Sequence, residues 1–240
     1  MGVDRAQAVA PGAQAAGHAL LRTDDVFKIY RAAGEESVAL RGASFELMPG
    51  EFVALLGRSG SGKSTLMHLI AGLDVPSAGR VFVGGVDISR LDETERARIR
   101  QDTIGIVLQR DNLIPYLTAF ENVALPLQLA GRSDAKQRAT EVLERVGLAH
   151  RMDHRAGQLS GGEQQRVGIA VALAPSPLIL MGDEVTGELD SESVAGILEL
   201  LTELQRRDHL ALLLVTHDPA VAERAQRVLH VRDGVISSHG

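Results

Sequence analysis

The chain has no cysteine and no tryptophan, and aromatic residues make up only 3% of its 240 positions. Without cysteine it forms no disulfide and offers no thiolate to a metal, and its redox compartment stays open. No apolar run approaches the roughly 18 residues that a membrane-spanning helix needs. The net charge is −6, with acids and bases intermixed, so no basic patch marks a nucleic-acid surface. Lysine is scarce as well: Lys28, Lys63 and Lys136 are the only ones among 25 basic residues. What remains, 45% hydrophobic and 23% charged, is the composition of a globular protein with a real core. Residues 1–22 are rich in Ala, Gly and Gln, and Asp4, Gln7, Pro11, Gln14 and His18 interrupt any apolar run there. That pattern is not a secretory signal, and it reads as a flexible tail before a single domain at 23–240.

One of the three lysines stands in the most informative stretch of the chain, Gly57-Arg58-Ser59-Gly60-Ser61-Gly62-Lys63-Ser64-Thr65. The apolar run Phe52–Leu56 before it reads as a buried strand. Leu66–Ala71 after it, stopped by Gly72, reads as a helix. Strand, glycine-rich loop and helix are the context of a P-loop. Gly57, Gly60 and Gly62 let the backbone turn tightly and aim its N–H groups at one point, and the helix start adds its positive dipole end. Lys63 can reach the β- and γ-phosphates of a nucleotide, and the Ser64 hydroxyl can ligate Mg²⁺.

In chain order, Val26–Tyr30 and Ser44–Leu47 read as strands and Val81–Ile88 as a hairpin. Tyr30 is a flat ring that either stacks on a base or sits at a sheet edge. A charged helix is expected from Asp92 to Arg100, and a buried strand at Ile104–Leu108 ends at Gln109. The apolar loop Asn112–Thr118 either docks something or folds back on the core. Residues 119–174 are mostly helical, with Ser133 expected to cap a helix that runs to Val146. Ser160-Gly161-Gly162 then opens a second glycine-led helix start, far from the first. Leu178–Gly182 is a strand ending in Asp183-Glu184, a carboxylate pair where open α/β sheets bind ligands. Asp183 suits a Mg²⁺ shell and Glu184 suits orienting a water. Helix 190–207, a strand at 210–216 ending at His217, and a closing hairpin complete the chain. The alternation implies an α/β fold with a largely parallel sheet, an added antiparallel part and a helical subdomain near 110–174.

Together these pieces resemble the nucleotide-binding subunit of ABC transporters. Gln109 is similar to the Q-loop glutamine, Leu159–Glu163 to the signature motif, Asp183-Glu184 to Walker B, Glu188-Leu189-Asp190 to the D-loop, His217 to the switch histidine and Tyr30 to the A-loop aromatic. The resemblance implies an ATPase with ATP and Mg²⁺ as cofactors, the metal on Ser64, Gln109 and Asp183. It implies a homodimer in which each ATP lies between one P-loop and the partner's Ser160, Gly161 and Gly162, with Asp190 nearby. Lys63, Glu184 and His217 would be catalytic. A separate transmembrane permease, a peripheral place on the cytoplasmic face of the inner membrane and no nucleic-acid partner follow. Gly72-Leu73-Asp74, the stretch from Asp111 to Pro115, Glu121-Asn122-Val123 and Leu125-Pro126-Leu127 resemble the lipoprotein-release and macrolide-export branch. A cell-division-type or other non-transport ABC ATPase, and a slow nucleotide-sensing cassette, are the alternatives. Gly182 and Val185 depart from the usual Ala and Pro around the Walker B pair, which leads one to expect a loosened turn under Glu184.

Overall fold

The computed structural model describes residues 18–32, 35–109 and 112–238. Residues 1–17, most of the expected tail, lie outside the described residues, as does Asp111. Strand β1 (Leu21–Ala32) pairs with β2 (Glu35–Leu47) in a long hairpin. Leu21 and Arg22, assigned to the tail on composition, thus open β1, and Leu21 is fully buried opposite Leu47. Next come β3 (Phe52–Leu56), α1 (Lys63–Ile70), β4 (Ala78–Val83) and the short β5 (Val86–Asp87). Helix α2 (Glu93–Thr103) is started by a reciprocal capping box between Asp92 and Glu95, and β6 (Ile104–Val107) follows. Three helices make the helical subdomain: α3 (Ala119–Leu129), α4 (Ala135–Arg145) and α5 (Gly161–Leu173). The chain ends with β7 (Ile179–Asp183), α6 (Ser191–Asp208), β8 (Ala211–Thr216), α7 (Pro219–Arg224), β9 (Arg227–Arg232) and β10 (Val235–Ser238).

The strands form two sheets, an antiparallel one in the order β2-β1-β4-β5 and a six-stranded one in the order β10-β9-β3-β8-β7-β6. Every neighbouring pair in the second is parallel except β10 with β9. Its central strands are buried on both faces, which is why they read as unbroken apolar runs. Alternate residues serve two cores. Phe52, Ala54, Leu212 and Leu214 pack with α3–α6, while Val53, Leu55, Leu213 and Val215 pack with α1 and the antiparallel sheet. The parallel strands therefore carry the helical subdomain on one side and the antiparallel part on the other.

One local expectation changes and one alternative is decided. Asp134, not Ser133, occupies the cap position of α4, and it makes no side-chain cap bond because its carboxylate pairs with Arg132. The apolar loop 112–118 folds back on buried Asn122, whose carboxamide accepts from the Ile114 N–H and donates to the Thr118 carbonyl. Tyr116 alone of its large apolar side chains stays well exposed.

Candidate functional site

The Gly57–Gly62 loop joins β3 to α1 at the carboxyl end of the parallel sheet. Gly62 sits at the cap of α1 with φ 107°, a left-handed conformation that glycine adopts freely, and no side chain caps the helix. A Cβ on Gly57 would lie 2.5 Å from the Val231 carbonyl oxygen, and one on Gly62 the same distance from the Ala39 carbonyl. The loop is therefore clasped between β9 and β2. The turn between β9 and β10 completes the clasp: Gly234 N–H donates to the Ser61 carbonyl at 3.0 Å, and Arg41 N–H to the Gly234 carbonyl at 2.8 Å. Lys63 reaches back over the loop, donating from Nζ to the carbonyls of Gly57 (2.7 Å) and Arg58 (3.0 Å). The Ser61 hydroxyl is buried and without a partner among the described residues.

The other expected groups arrive on neighbouring strand ends. Asp183 closes β7; burial pushes its carboxyl up, the charge of Glu184 adds to that, and Lys63 and His68 pull the other way. Glu184 follows at φ 51°, an uncommon conformation for a residue with a side chain. Its N–H donates to the Val215 carbonyl, and the Gly187 N–H to its own carbonyl, both at 2.8 Å. The Glu184 carboxylate accepts from the Thr216 hydroxyl at 3.2 Å and lies 2.8 Å from His217 Nδ1. A carboxylate only accepts, so the proton sits on Nδ1. Gln109, beyond β6, lies against the same turn: a Cβ on Gly187 would come within 3.0 Å of its Nε2.

That turn is not loose. Val185 is buried, and a Cβ on Gly182 would sit 2.3 Å from Val185 Cγ1 and 2.8 Å from Leu214 Cδ2. The methyl that Gly182 lacks is the space Val185 fills. The two departures from the family pattern compensate each other, and the turn under Glu184 is packed.

Ser160, Gly161 and Gly162 are brought together elsewhere, at the start of α5. Ser160 caps the helix and Glu163 answers in a capping box, its Oε2 accepting the Ser160 N–H at 2.8 Å. The Ser160 hydroxyl oxygen accepts from Glu163 N–H at 3.2 Å, and the hydroxyl also lies against the Glu163 carboxylate. Asp190 is close by: it caps α6 through the N–H and hydroxyl of Ser193, and a Cβ on Gly162 would meet that hydroxyl at 2.8 Å. Helix α1 packs against β2 and β4, whereas α5 packs against α3, α4, α6 and β6. The two glycine-led helix starts thus have separate supports. Tyr30 lies on β1, two-fifths exposed, with its hydroxyl on Asp74.

Two participants escaped the sequence reading. Arg151 Nε donates to Glu163 Oε1 at 2.8 Å, and together with the Ser160 N–H it holds that carboxyl below its usual range. Gly234 anchors the phosphate loop from the far end of the chain. A basic residue shortly before an acidic capping box would have signalled the first; only tertiary structure shows the second.

The ABC transporter family profile matches residues 40–187. The chain belongs to the ABC transporter family. This ABC cassette is 48% identical over 219 residues to the lipoprotein-releasing system ATP-binding protein LolD of Pseudomonas fluorescens, covering 90% of this chain and 96% of that protein. It is 42% identical over 223 residues to LolD of Acinetobacter baylyi, covering 92% and 98%. Its fold is similar to that of the ATP-binding cassette MJ0796, solved as a dimer in a post-hydrolysis state bound to ADP and Pi, with a TM-score of 0.82 at 39% identity over 92% of this chain and 99% of that one. The cassette is an ATPase component, with a mixed α/β architecture of parallel and antiparallel sheets as its sequence implies.

Proposed function

We propose that this ABC cassette hydrolyses Mg-ATP between two copies of itself and drives a separate membrane permease of the lipoprotein-release type. The observation that carries the reading is the presence of two donor-rich helix starts on separate supports, with the Glu184–His217 pair at the ends of β7 and β8, on the end of the sheet where β3 feeds the first. One triphosphate engages both starts when a second copy presents its Ser160–Gly162 end to the first copy's phosphate loop. Nucleotide then favours the closed pair, because only there does it contact both halves.

In that arrangement Gly57, Arg58, Ser59, Gly60, Ser61, Gly62 and Lys63 hold the phosphates, with Ser64 and Thr65 at the helix start. Lys63 exchanges its carbonyl partners for phosphate oxygens. The residues fit a magnesium ion: Ser64, Asp183 and Gln109 offer hard oxygen donors, and the raised Asp183 carboxyl is short of positive charge. Held by these residues, the ion would supply positive charge to offset that of the phosphates. Glu184 orients a water and accepts its proton as the water oxygen bonds to the γ-phosphorus and the bond to the ADP oxygen breaks. His217 keeps the Glu184 carboxylate aimed through its Nδ1–H and holds the geometry of attack. Asp190 holds α6 beside the partner's contact, and Gln109 relays the state of the site toward the permease.

The two LolD relatives support the permease class. No helix among the described residues is long and apolar enough to cross a membrane, which suits a peripheral subunit on the cytoplasmic face of the inner membrane. Glu184→Gln should cut turnover at least about 100-fold and trap an ATP-dependent dimer on size exclusion. Isolated with Mg-ATP from detergent-solubilised host membranes, that variant should carry a stoichiometric membrane protein. Unchanged turnover removes Glu184 from the mechanism, and recovery without a membrane protein removes the permease.

A further inference from the structure

Tyr30 is not held by its strand alone. Two residues earlier on the same face of β1, Lys28 is buried, and its ammonium donates to Asp74 Oδ1 at 2.6 Å and to the Val75 carbonyl at 2.9 Å. The same ammonium lies over the Tyr30 ring, 5.0 Å from its centroid. The ring hydroxyl donates to the other oxygen of that carboxylate, Asp74 Oδ2, at 3.2 Å. Burial pushes the Asp74 carboxyl up, but Lys28, the Val75 N–H and the Tyr30 hydroxyl outweigh it and hold it below its ordinary value.

Asp74 in turn is fixed to the helix that carries Lys63. Gly72 ends α1, and the N–H groups of Leu73 and Asp74 fold back onto the His68 carbonyl at 2.9 and 3.3 Å. Arg100 donates to the Ala71 carbonyl, and Arg96 to that of Gly72. Ser77 stitches the following loop to β1, donating its N–H to Phe27 and accepting from Ile29 N–H. Every link between ring and helix is therefore short and ordered.

We propose that Lys28 and Asp74 are positioning residues for nucleotide recognition: they clamp the Tyr30 ring at a set spacing from the phosphate loop, cover one face of it with the ammonium and leave the opposite face for the base. The proposal rests on the reading of Tyr30 as the base-stacking residue. A clamped ring stacks without first losing its rotamer freedom, so the clamp raises affinity for the base-bearing part of the ligand alone.

The test compares two probes on the full-length protein by calorimetry, Mg-ATP and Mg-tripolyphosphate, which lacks base and sugar. Tyr30→Ala should weaken ATP about tenfold, as loss of one base–aromatic stack does, and leave tripolyphosphate unmoved. Asp74→Ala and Lys28→Met should each weaken ATP about threefold, again with tripolyphosphate unmoved, and add nothing once Tyr30 is Ala. Tyr30→Phe keeps the ring and removes only its hydroxyl, and should act in the same direction where the other variants fold poorly. Equal weakening of both probes makes Lys28 and Asp74 mere supports of α1 and overturns the clamp. So does full ATP affinity in Asp74→Ala and Tyr30→Phe while Tyr30→Ala loses it. If Tyr30→Ala itself binds ATP normally, the stacking reading fails first and the clamp with it.

Discussion

The two glycine-led helix starts of this cassette are built in opposite ways. Helix α1 begins at a left-handed glycine with no side-chain cap and no acid in its first turn, and Lys63, its first residue, rests on carbonyls of its own loop. Helix α5 begins at a serine in a complete capping box, with an acid in its first turn and an arginine on that acid. The first start leaves its donors for a ligand, and backbone from β2 and β9 holds its shape. The second satisfies part of its donor set internally and leaves the first glycine N–H groups. A phosphate gains much at the first and less at the second. That difference suits the proposed site, closed only by nucleotide: firm capture on one side, conditional contact on the other.

The sharpest way to break the contrast is to add one methyl to each loop. Gly57→Ala drives a Cβ to within 2.5 Å of the Val231 carbonyl oxygen, and backbone there cannot yield. Binding of a fluorescent ATP analogue should fall more than about 100-fold and stability by about 2–3 kcal/mol. Gly161→Ala meets only Leu189 Cδ2 at 3.4 Å, an ordinary contact. It should keep ATP binding by the isolated chain and melt within about 0.5 kcal/mol of the parent. Equal losses would mean that both loops are confined alike.

Next in size is the wall of the first site. Gly182→Ala overpacks the turn against Val185 and should cost about 1–3 kcal/mol in urea unfolding, most of it regained in the double variant with Val185→Ala. A neutral Gly182→Ala would restore the loosened turn that the sequence alone suggests.

How much could be read without coordinates follows from how local each feature is. The phosphate loop, the Ser160–Gly162 start and the Asp183-Glu184 pair are contiguous, and strand or helix periodicity on either side fixes their context. The convergence of Gln109, Asp183, Glu184 and His217 followed from each ending a parallel strand. The Gly182–Val185 fit stayed hidden because it depends on side-chain volume across a turn, and Gly234 because its partner Ser61 lies far from it in the sequence. The start of α4 falls at Asp134, one residue past Ser133, and no side-chain cap bond marks it, because the Asp134 carboxylate is taken by Arg132.

The second site can be sharpened by its charge. Glu163 puts a carboxylate beside the donors proposed to meet phosphate, and Arg151 pairs with it. Arg151→Met should lower turnover about five- to tenfold through a weaker trans contact, while stability falls by no more than about 1 kcal/mol because the pair is part-exposed. Adding Glu163→Gln keeps the cap and removes the charge, so the double variant should recover most of the lost rate. Failure to recover would make Arg151 an anchor for the segment before α5 and nothing more.

The smallest effect is one of pH, and only the second start should show it. The Ser160 N–H, opposed by partial burial and helped by Arg151, holds the Glu163 carboxyl below its ordinary 4.5. A carboxyl depressed in the folded state stabilises fully above its unfolded value, and that contribution fades as pH falls through the folded one. Near neutrality the cap is therefore insensitive to pH; below the ordinary glutamate range, protonation weakens the Ser160 and Arg151 bonds together. Amide-exchange protection at Ser160, Glu163 and Gln164 should drop on acidification while that of the bonded amides of α1, from Leu66 on, holds, since α1 has no acid in its first turn to titrate. Glu163→Gln should flatten the first curve. If protection falls in step at both starts, acid is loosening the whole domain, and the contrast between a capped and an uncapped start has no share in the response.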